Sequence, residues 1–160
     1  MSVHAAAAAA AAKGLDRHLR EYPEFLLNFE VEGAPVPWAR HKGSGKRGHT
    51  APRQAGYREL VIVRARLAMA GRPIYTGALE IRACFFMPMP PKWTAIEQTE
   101  GEAGRRLPTD RPDLDNLLKG VKDALNGVVY VDDSQVVSSH AHKRYSREPA
   151  AMVSLFSHER

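Results

Sequence analysis

Residues 111–136 read RPDLDNLLKGVKDALNGVVYVDDSQV, and their periodicity sets how the chain is built. Leu114, Leu117, Leu118, Val121 and Leu125 fall on one face at helical spacing. Asp115, Lys119 and Asp123 recur at every fourth position on the opposite face. Pro112 precedes the first turn, and Asn126-Gly127 ends the helix by a left-handed cap or a turn. A short amphipathic helix over about 113–125 follows, with one face for a core and one for solvent. The β-branched run Val128–Val131 then leads to Asp132-Asp133.

On either side of this segment, strands and helices alternate irregularly. Phe25, Leu27, Phe29 and Val31 alternate with mostly polar residues, a strand with one buried face, closed by Gly33, Pro35 and Pro37. Tyr57, Leu60, Val61, Arg64, Leu67 and Ala68 follow helical spacing from about Pro52 to Ala70, and Gly71 and Pro73 close that helix. Leu79–Met87 reads as a second strand, stopped by Pro88, Pro90 and Pro91, with a long polar loop from there to Pro112. Two more strands are expected over 135–145 and 150–157, joined near Glu148-Pro149. The expected fold is α+β, a single domain with one mixed sheet and two main helices packed on it.

Composition bounds the possibilities. The chain has 160 residues, 44% apolar and 26% charged, enough for one domain with a real core. No apolar run approaches the roughly 20 residues that cross a bilayer, so a membrane partner is not expected. The lone Cys84 excludes an internal disulfide scaffold, and no Cys/His cluster has zinc spacing, which points to a reducing cytoplasm. Residues 1–22, with alanine at every position from 5 to 12, read as a low-complexity extension, leaving residues 23–160 as the folded domain. Without a positive n-region that alanine run makes a poor signal peptide, and it carries no functional signal.

Charge is distributed unevenly. The net charge is +5, and residues 1–100 carry all of it, 14 basic against 9 acidic side chains. Between Arg40 and Arg72, nine basic side chains face Glu59 alone. Arg40, Lys42, Lys46, Arg47 and Arg53 belong to a Gly-rich basic stretch with no apolar anchor. Such a stretch can follow a phosphate backbone by releasing condensed counterions, although a solvated surface loop has the same composition.

The acidic residues carry the chemistry. One Asp at a helix start has a plain explanation as a cap, but Asp113 and Asp115 together, followed by Asp132-Asp133, exceed that need. Neighbouring carboxylates are costly unless a positive charge lies between them, and a hard divalent cation with oxygen ligands is the usual remedy. A helix that reverses at Asn126-Gly127 into a roughly four-residue strand can carry Asp132 or Asp133 back towards Asp113 and Asp115. With Lys119 alongside, that set suits metal-assisted phosphodiester hydrolysis. Asp-x-Asp alone is weak. A calcium loop would need a Gly and a distal Glu that are absent, and an aspartyl phosphatase would place the motif after a hydrophobic strand.

The full pattern is specific. Pro112-Asp113-Leu114-Asp115-Asn116-Leu117-Leu118-Lys119, then Asp123-Ala124-Leu125-Asn126-Gly127, then Asp132-Asp133-Ser134-Gln135-Val136 resembles the RusA family of Holliday junction resolvases. The likeness is strong from Arg111 to Lys143 and weaker over Gly33–Arg40. It implies a homodimeric endonuclease that cuts four-way DNA junctions by paired nicks with Mg2+, or Mn2+ in its place. It maps the essential acids onto Asp113, Asp115 and Asp133 and the essential lysine onto Lys119, with Asp132 as an adjacent ligand or supporting acid. Arg111, just before the motif, and Asn116, within it, are expected as DNA contacts. A two-fold dimer also matches the symmetry of a junction with two strands to cut. Two readings from other classes stay open: a non-catalytic DNA-binding module with a capped helix, and a nuclease for flaps or other branches. His140, His142, Lys143, Trp38 and Trp93 have ordinary structural explanations at this point.

Overall fold

Alternating burial in the first strand confirms its one-sided pattern. In the computed structural model, which describes residues 24–38 and 52–158, β1 spans Glu24–Glu32 and buries Leu27, Phe29 and Val31. Strict alternation would put Phe25 on the same side. A register shift between Phe25 and Leu27 turns it out to 55% exposure instead, where it meets the Phe156 ring edge-on at 5.7 Å.

Helix α1, Pro52–Met69, buries Gln54, Val61, Ile62, Ala65 and Met69. Helical spacing in the sequence points Leu60 and Leu67 inward, yet they are 49% and 68% exposed. Apolar residues occur all round this helix, so periodicity could not select its inner face. Packing against β1 and the later helix selects it.

Strand β2, Leu79–Pro88, is buried at every position except Arg82 and Pro88, as suits a strand with neighbours on both sides. The segment expected to be a long polar loop contains an eight-residue helix, α2, Ala95–Glu102. Thr94 accepts from the Glu97 N–H and the Glu97 carboxylate accepts from the Thr94 N–H, so a capping box starts it. Helix α3, Leu114–Leu125, buries Leu117, Val121, Ala124 and Leu125. Gly127, at φ +71°, follows its end.

Val128–Val131 is not a strand. Val128 and Val129 N–H groups both donate to Leu125 O, and Tyr130 makes only isolated bridges to Tyr75 and Asn126. A 3-10 turn, Asp133–Gln135, leads into β3, Val136–Ser146, and β4, Ala150–Ser157, completes the sheet.

The strand order is β1-β4-β2-β3. β4 is antiparallel to both β1 and β2, and β2 is parallel to β3. Consecutive strands β3 and β4 are therefore separated by β2. The residues 147–149 cross its end, a gap of two strand spacings or about 10 Å, within the reach of three residues. One core cluster joins α1, α3 and the inner face of the sheet. The result is a single-domain α+β fold, and no helix among the described residues is long and apolar enough to cross a membrane.

A candidate active site on helix α3 and the adjoining cleft

Burial of the leucine face turns the other face of α3 outward, carrying Asp115, Lys119 and Asp123. Asp113 holds the N-cap position, but its side chain makes no capping hydrogen bond. The helix start therefore leaves this carboxylate uncommitted, where an ordinary cap would turn it onto the backbone. Lys119 Nζ lies 3.2 Å from Asp123 Oδ2, one turn on.

The carboxylates are strung along the helix rather than gathered at its start. Asp133 Oδ2 lies 3.8 Å from Lys122 Nζ, on the third turn. Lys122 is seven residues, or about 10 Å of helix rise, beyond Asp115. The expected strand at 128–131 is replaced by turns, so the return of the chain towards the helix start is coiled rather than extended. Among the described residues no group of three or more His, Cys, Asp or Glu stands close enough to hold a metal ion.

Asp132, Asp123 and Asp133 nonetheless share one electrostatic neighbourhood. Tyr130 sits among them with its O–H donated to Lys122 O at 2.9 Å. Burial, then the charges of Asp133, Asp123 and Asp132, push its phenol well above the usual range. Hydrogen bonds from the Ser134 hydroxyl and N–H hold the Asp132 carboxyl below the usual range.

Gln135, which the sequence presents only as part of the motif, fixes this turn. Its Oε1 accepts from the Val131 and Asp132 N–H groups at 2.8 and 3.0 Å. Its Nε2 donates to Tyr75 O and Gly77 O, both at 3.0 Å. One side-chain amide thus ties the acidic turn to the segment before β2. Only a residue with both donor and acceptor ends can do so.

A cleft of about 980 Å³ opens at the start of α3. Asp113, Asn116, Arg111 and Arg53 line it together with Trp38 and Tyr145, while prolines form much of the remaining wall. Asp115 and Lys119 lie outside that lining. The extended segment after β1 is held there by Trp38 N–H donating to Asn116 O at 2.9 Å and Gln54 Nε2 donating to Pro37 O at 3.2 Å. Arg40, Lys42, Lys46 and Arg47 lie outside the described residues. The two ends of their segment, Trp38 and Arg53, both meet this cleft.

Lys143, on β3, approaches from beneath. It donates to Asp110 O and Pro112 O, each at 2.9 Å, and so pins the turn that delivers Asp113. Trp93 packs on Tyr145 with ring centroids 4.6 Å apart. His140 and His142 lie on β3 at the edge of the sheet, and both are half-buried rather than fully exposed. Burial and the neighbouring Arg144 charge lower the His142 pKa.

Comparison with known proteins places the chain among relatives of known sequence family. An uncharacterized protein of Bacillus subtilis (strain 168), YqaN, is 37% identical over 136 residues, covering 81% of this chain and 94% of that protein. The family model described as Endodeoxyribonuclease RusA matches residues 32–155, a span that includes the cleft, α3 and the acidic turn. The chain belongs to the RusA family of endodeoxyribonucleases.

Proposed function

We propose that the protein is a divalent-metal-dependent endonuclease that resolves four-way DNA junctions by paired, symmetric nicks, acting as a homodimer. The observation that carries this reading is the uncommitted Asp113 carboxylate at the mouth of a cleft lined by Arg53, Arg111 and Asn116. Two cationic side chains and an amide can grip backbone phosphates beside a carboxylate that the fold itself does not use. The basic side chains Arg40, Lys42, Lys46 and Arg47 extend the same grip along the strand.

The donors suit Mg2+ or Mn2+ of the kind held by one or two carboxylates, with substrate phosphate and water completing the shell. They do not suit a cage made wholly of protein ligands. Asp113 and Asp115 would hold the ion at the start of α3, and Asp133 with its neighbour Asp132 joins once DNA draws the acidic turn inward. When bound, the ion supplies charge neutralisation at the scissile phosphate and acidifies a water. Lys119 adds positive charge where the transition state gains negative charge, and it is held near that face by Asp123.

Asp113→Asn and Asp115→Asn test the assignment on a labelled four-way junction. Cleavage is lost in both, while junction binding at fixed salt survives or tightens because a repelling carboxylate is gone. Binding and cleavage falling together would remove these residues from the metal-holding role. Stable shifts without cutting by the unmodified protein would favour the non-catalytic module, and selective cutting of flaps would assign another branched substrate.

A further inference from the structure

The cleft at the start of α3 is not built for phosphates alone. Four charged side chains line it, Arg53, Asp110, Arg111 and Asp113, but so do seven prolines, two methionines, Trp38 and Tyr145. Phosphates are gripped by cations and N–H donors, and they gain nothing from apolar walls. At about 980 Å³ the cleft has the size and lining of sites that enclose a small, largely apolar ligand. The planar, weakly polar part of DNA is the base. Within a duplex both of its faces are covered by stacking, whereas a branch point interrupts the stack and releases a base at lower cost.

The two aromatic side chains of the cleft are held in place from behind. Segment 36–38 lies directly on α3, where a Cβ at Gly120 would stand 3.5 Å from Trp38 N and 3.8 Å from Val36 O. The Trp38 N–H donates to Asn116 O at 2.9 Å, so the backbone that bears the indole is tied to the helix that begins at Asp113. Tyr145 is backed by Trp93, edge-on, with ring centroids 4.6 Å apart. Trp93 in turn fits against Gly101, where a Cβ would come within 2.7 Å of its ring, and the Arg106 guanidinium lies 5.4 Å from its centroid. Rings braced in this way stack on a base at little cost in rotamer freedom. Asp113, Arg53 and Arg111 share the same lining, so a base seated there keeps its adjoining phosphates among them.

We propose that the cleft receives one unpaired nucleobase of the strand to be cut, stacked against Trp38 and Tyr145, while Arg53 and Arg111 hold its phosphates beside Asp113. The proposal rests on the junction-cutting reading of the same site and adds which part of the DNA the cleft takes. Trp38 and Tyr145 then select strands whose bases can leave the stack, and a continuous duplex cannot fill the site.

The test places 5-iododeoxyuridine at successive positions around the crossover of a four-way junction, and in a continuous duplex of the same sequence, with the unsubstituted protein bound in the absence of metal. Irradiation joins the iodouracil to Trp38 or Tyr145 at a position beside the crossover and not in the duplex. Crosslinks to other residues only, equal crosslinking in the duplex, or no crosslink overturn the proposal. This readout needs binding and no cutting, so a chain that binds junctions and cuts none would remove the resolvase reading and leave the crosslink to decide the base site. In Mg2+, single-turnover cleavage falls about tenfold or more when the crosslinking nucleotide is made abasic. Trp38→Ala loses about as much on the intact junction and little more on the abasic one, and Trp38→Phe keeps most of the rate. An abasic junction cut at the normal rate, or losses that multiply in Trp38→Ala, overturn the proposal. Thermal unfolding checks that the variants fold; should Trp38→Ala not fold, the crosslink and the abasic junction decide the matter with the unsubstituted protein.

Discussion

Replacing Gln135 by Met removes the side-chain amide that ties the acidic turn to the segment before β2 while keeping a similar volume. Four hydrogen bonds are lost, at 2.8–3.0 Å. The two accepted from Val131 and Asp132 are exposed, and water can replace them. The two donated to Tyr75 and Gly77 carbonyls are partly buried and not so readily replaced. At about 0.5–1.5 kcal/mol net per bond, the loss of these two comes to roughly 1–3 kcal/mol. For a chain of this size that lowers the unfolding midpoint by about 2–12 °C. Asp132 and Asp133 lose their fixed position, so junction cleavage falls at least tenfold while junction binding changes little. Gln135→Glu separates the two ends of the amide, because it keeps the acceptor oxygens but cannot donate to the carbonyls. It should be at least as damaging as Met. Thermal unfolding and single-turnover cleavage are run on both variants, and either variant matching the unsubstituted protein in both measurements would show that the amide does not hold the turn.

Three other consequences follow from particular contacts. Lys143→Met releases the turn at Asp110 and Pro112, so single-turnover cleavage falls by about tenfold or more at unchanged junction affinity; a fall in affinity alone would mean that Lys143 contacts phosphate instead. The buried Tyr57 hydroxyl has no hydrogen-bond partner among the described residues, so Tyr57→Phe should leave the unfolding free energy unchanged or raise it by up to about 1 kcal/mol, and a clear loss of stability in urea titration would reveal a hidden partner. His142 has its pKa lowered by burial and by Arg144, so the unfolded chain takes up its proton first. Stability is then full above about 6.5 and is lost as pH falls through that value towards the lowered one; His142→Asn flattens the slope of unfolding midpoint against pH over this window.

Much of the fold is legible in the sequence because burial leaves a periodic trace. The leucine face of α3 and the one-sided strand β1 each bury on a single side, and both appear where the sequence places them. Where apolar residues occur on every side, as in α1, periodicity has no preferred direction, and it turns Leu60 and Leu67 the wrong way. Helix α2 leaves no such trace because its eight residues bury only Gly101 and carry no apolar stripe; its capping box, Thr94 and Glu97, is the available signal. The order of β3 and β4 around β2 is hidden too, since a short link between successive strands ordinarily makes a hairpin.

The site is legible in its residues and not in its distances. Asp113, Asp115, Lys119 and the Asp132-Asp133 pair stand out because helix capping needs one carboxylate and the motif supplies several. How far the acidic turn returns along α3 depends on residues 128–131. That β-branched run suggests an extended chain, whereas backbone bonds from Val128 and Val129 to Leu125 O fold it into turns. The pinning roles of Gln135 and Lys143 depend on carbonyls distant in sequence, which composition and spacing do not reveal.

Everything functional above depends on side chains from two separated segments acting with a divalent ion on branched DNA. The decisive assay incubates the purified protein with a synthetic four-way junction, end-labelled on each strand in turn, in Mg2+ and in EDTA. Nicks are expected at symmetric positions in two opposed strands with Mg2+, and none with EDTA. Cutting that persists unchanged in EDTA, or a junction bound tightly and left whole in Mg2+, would overturn that dependence.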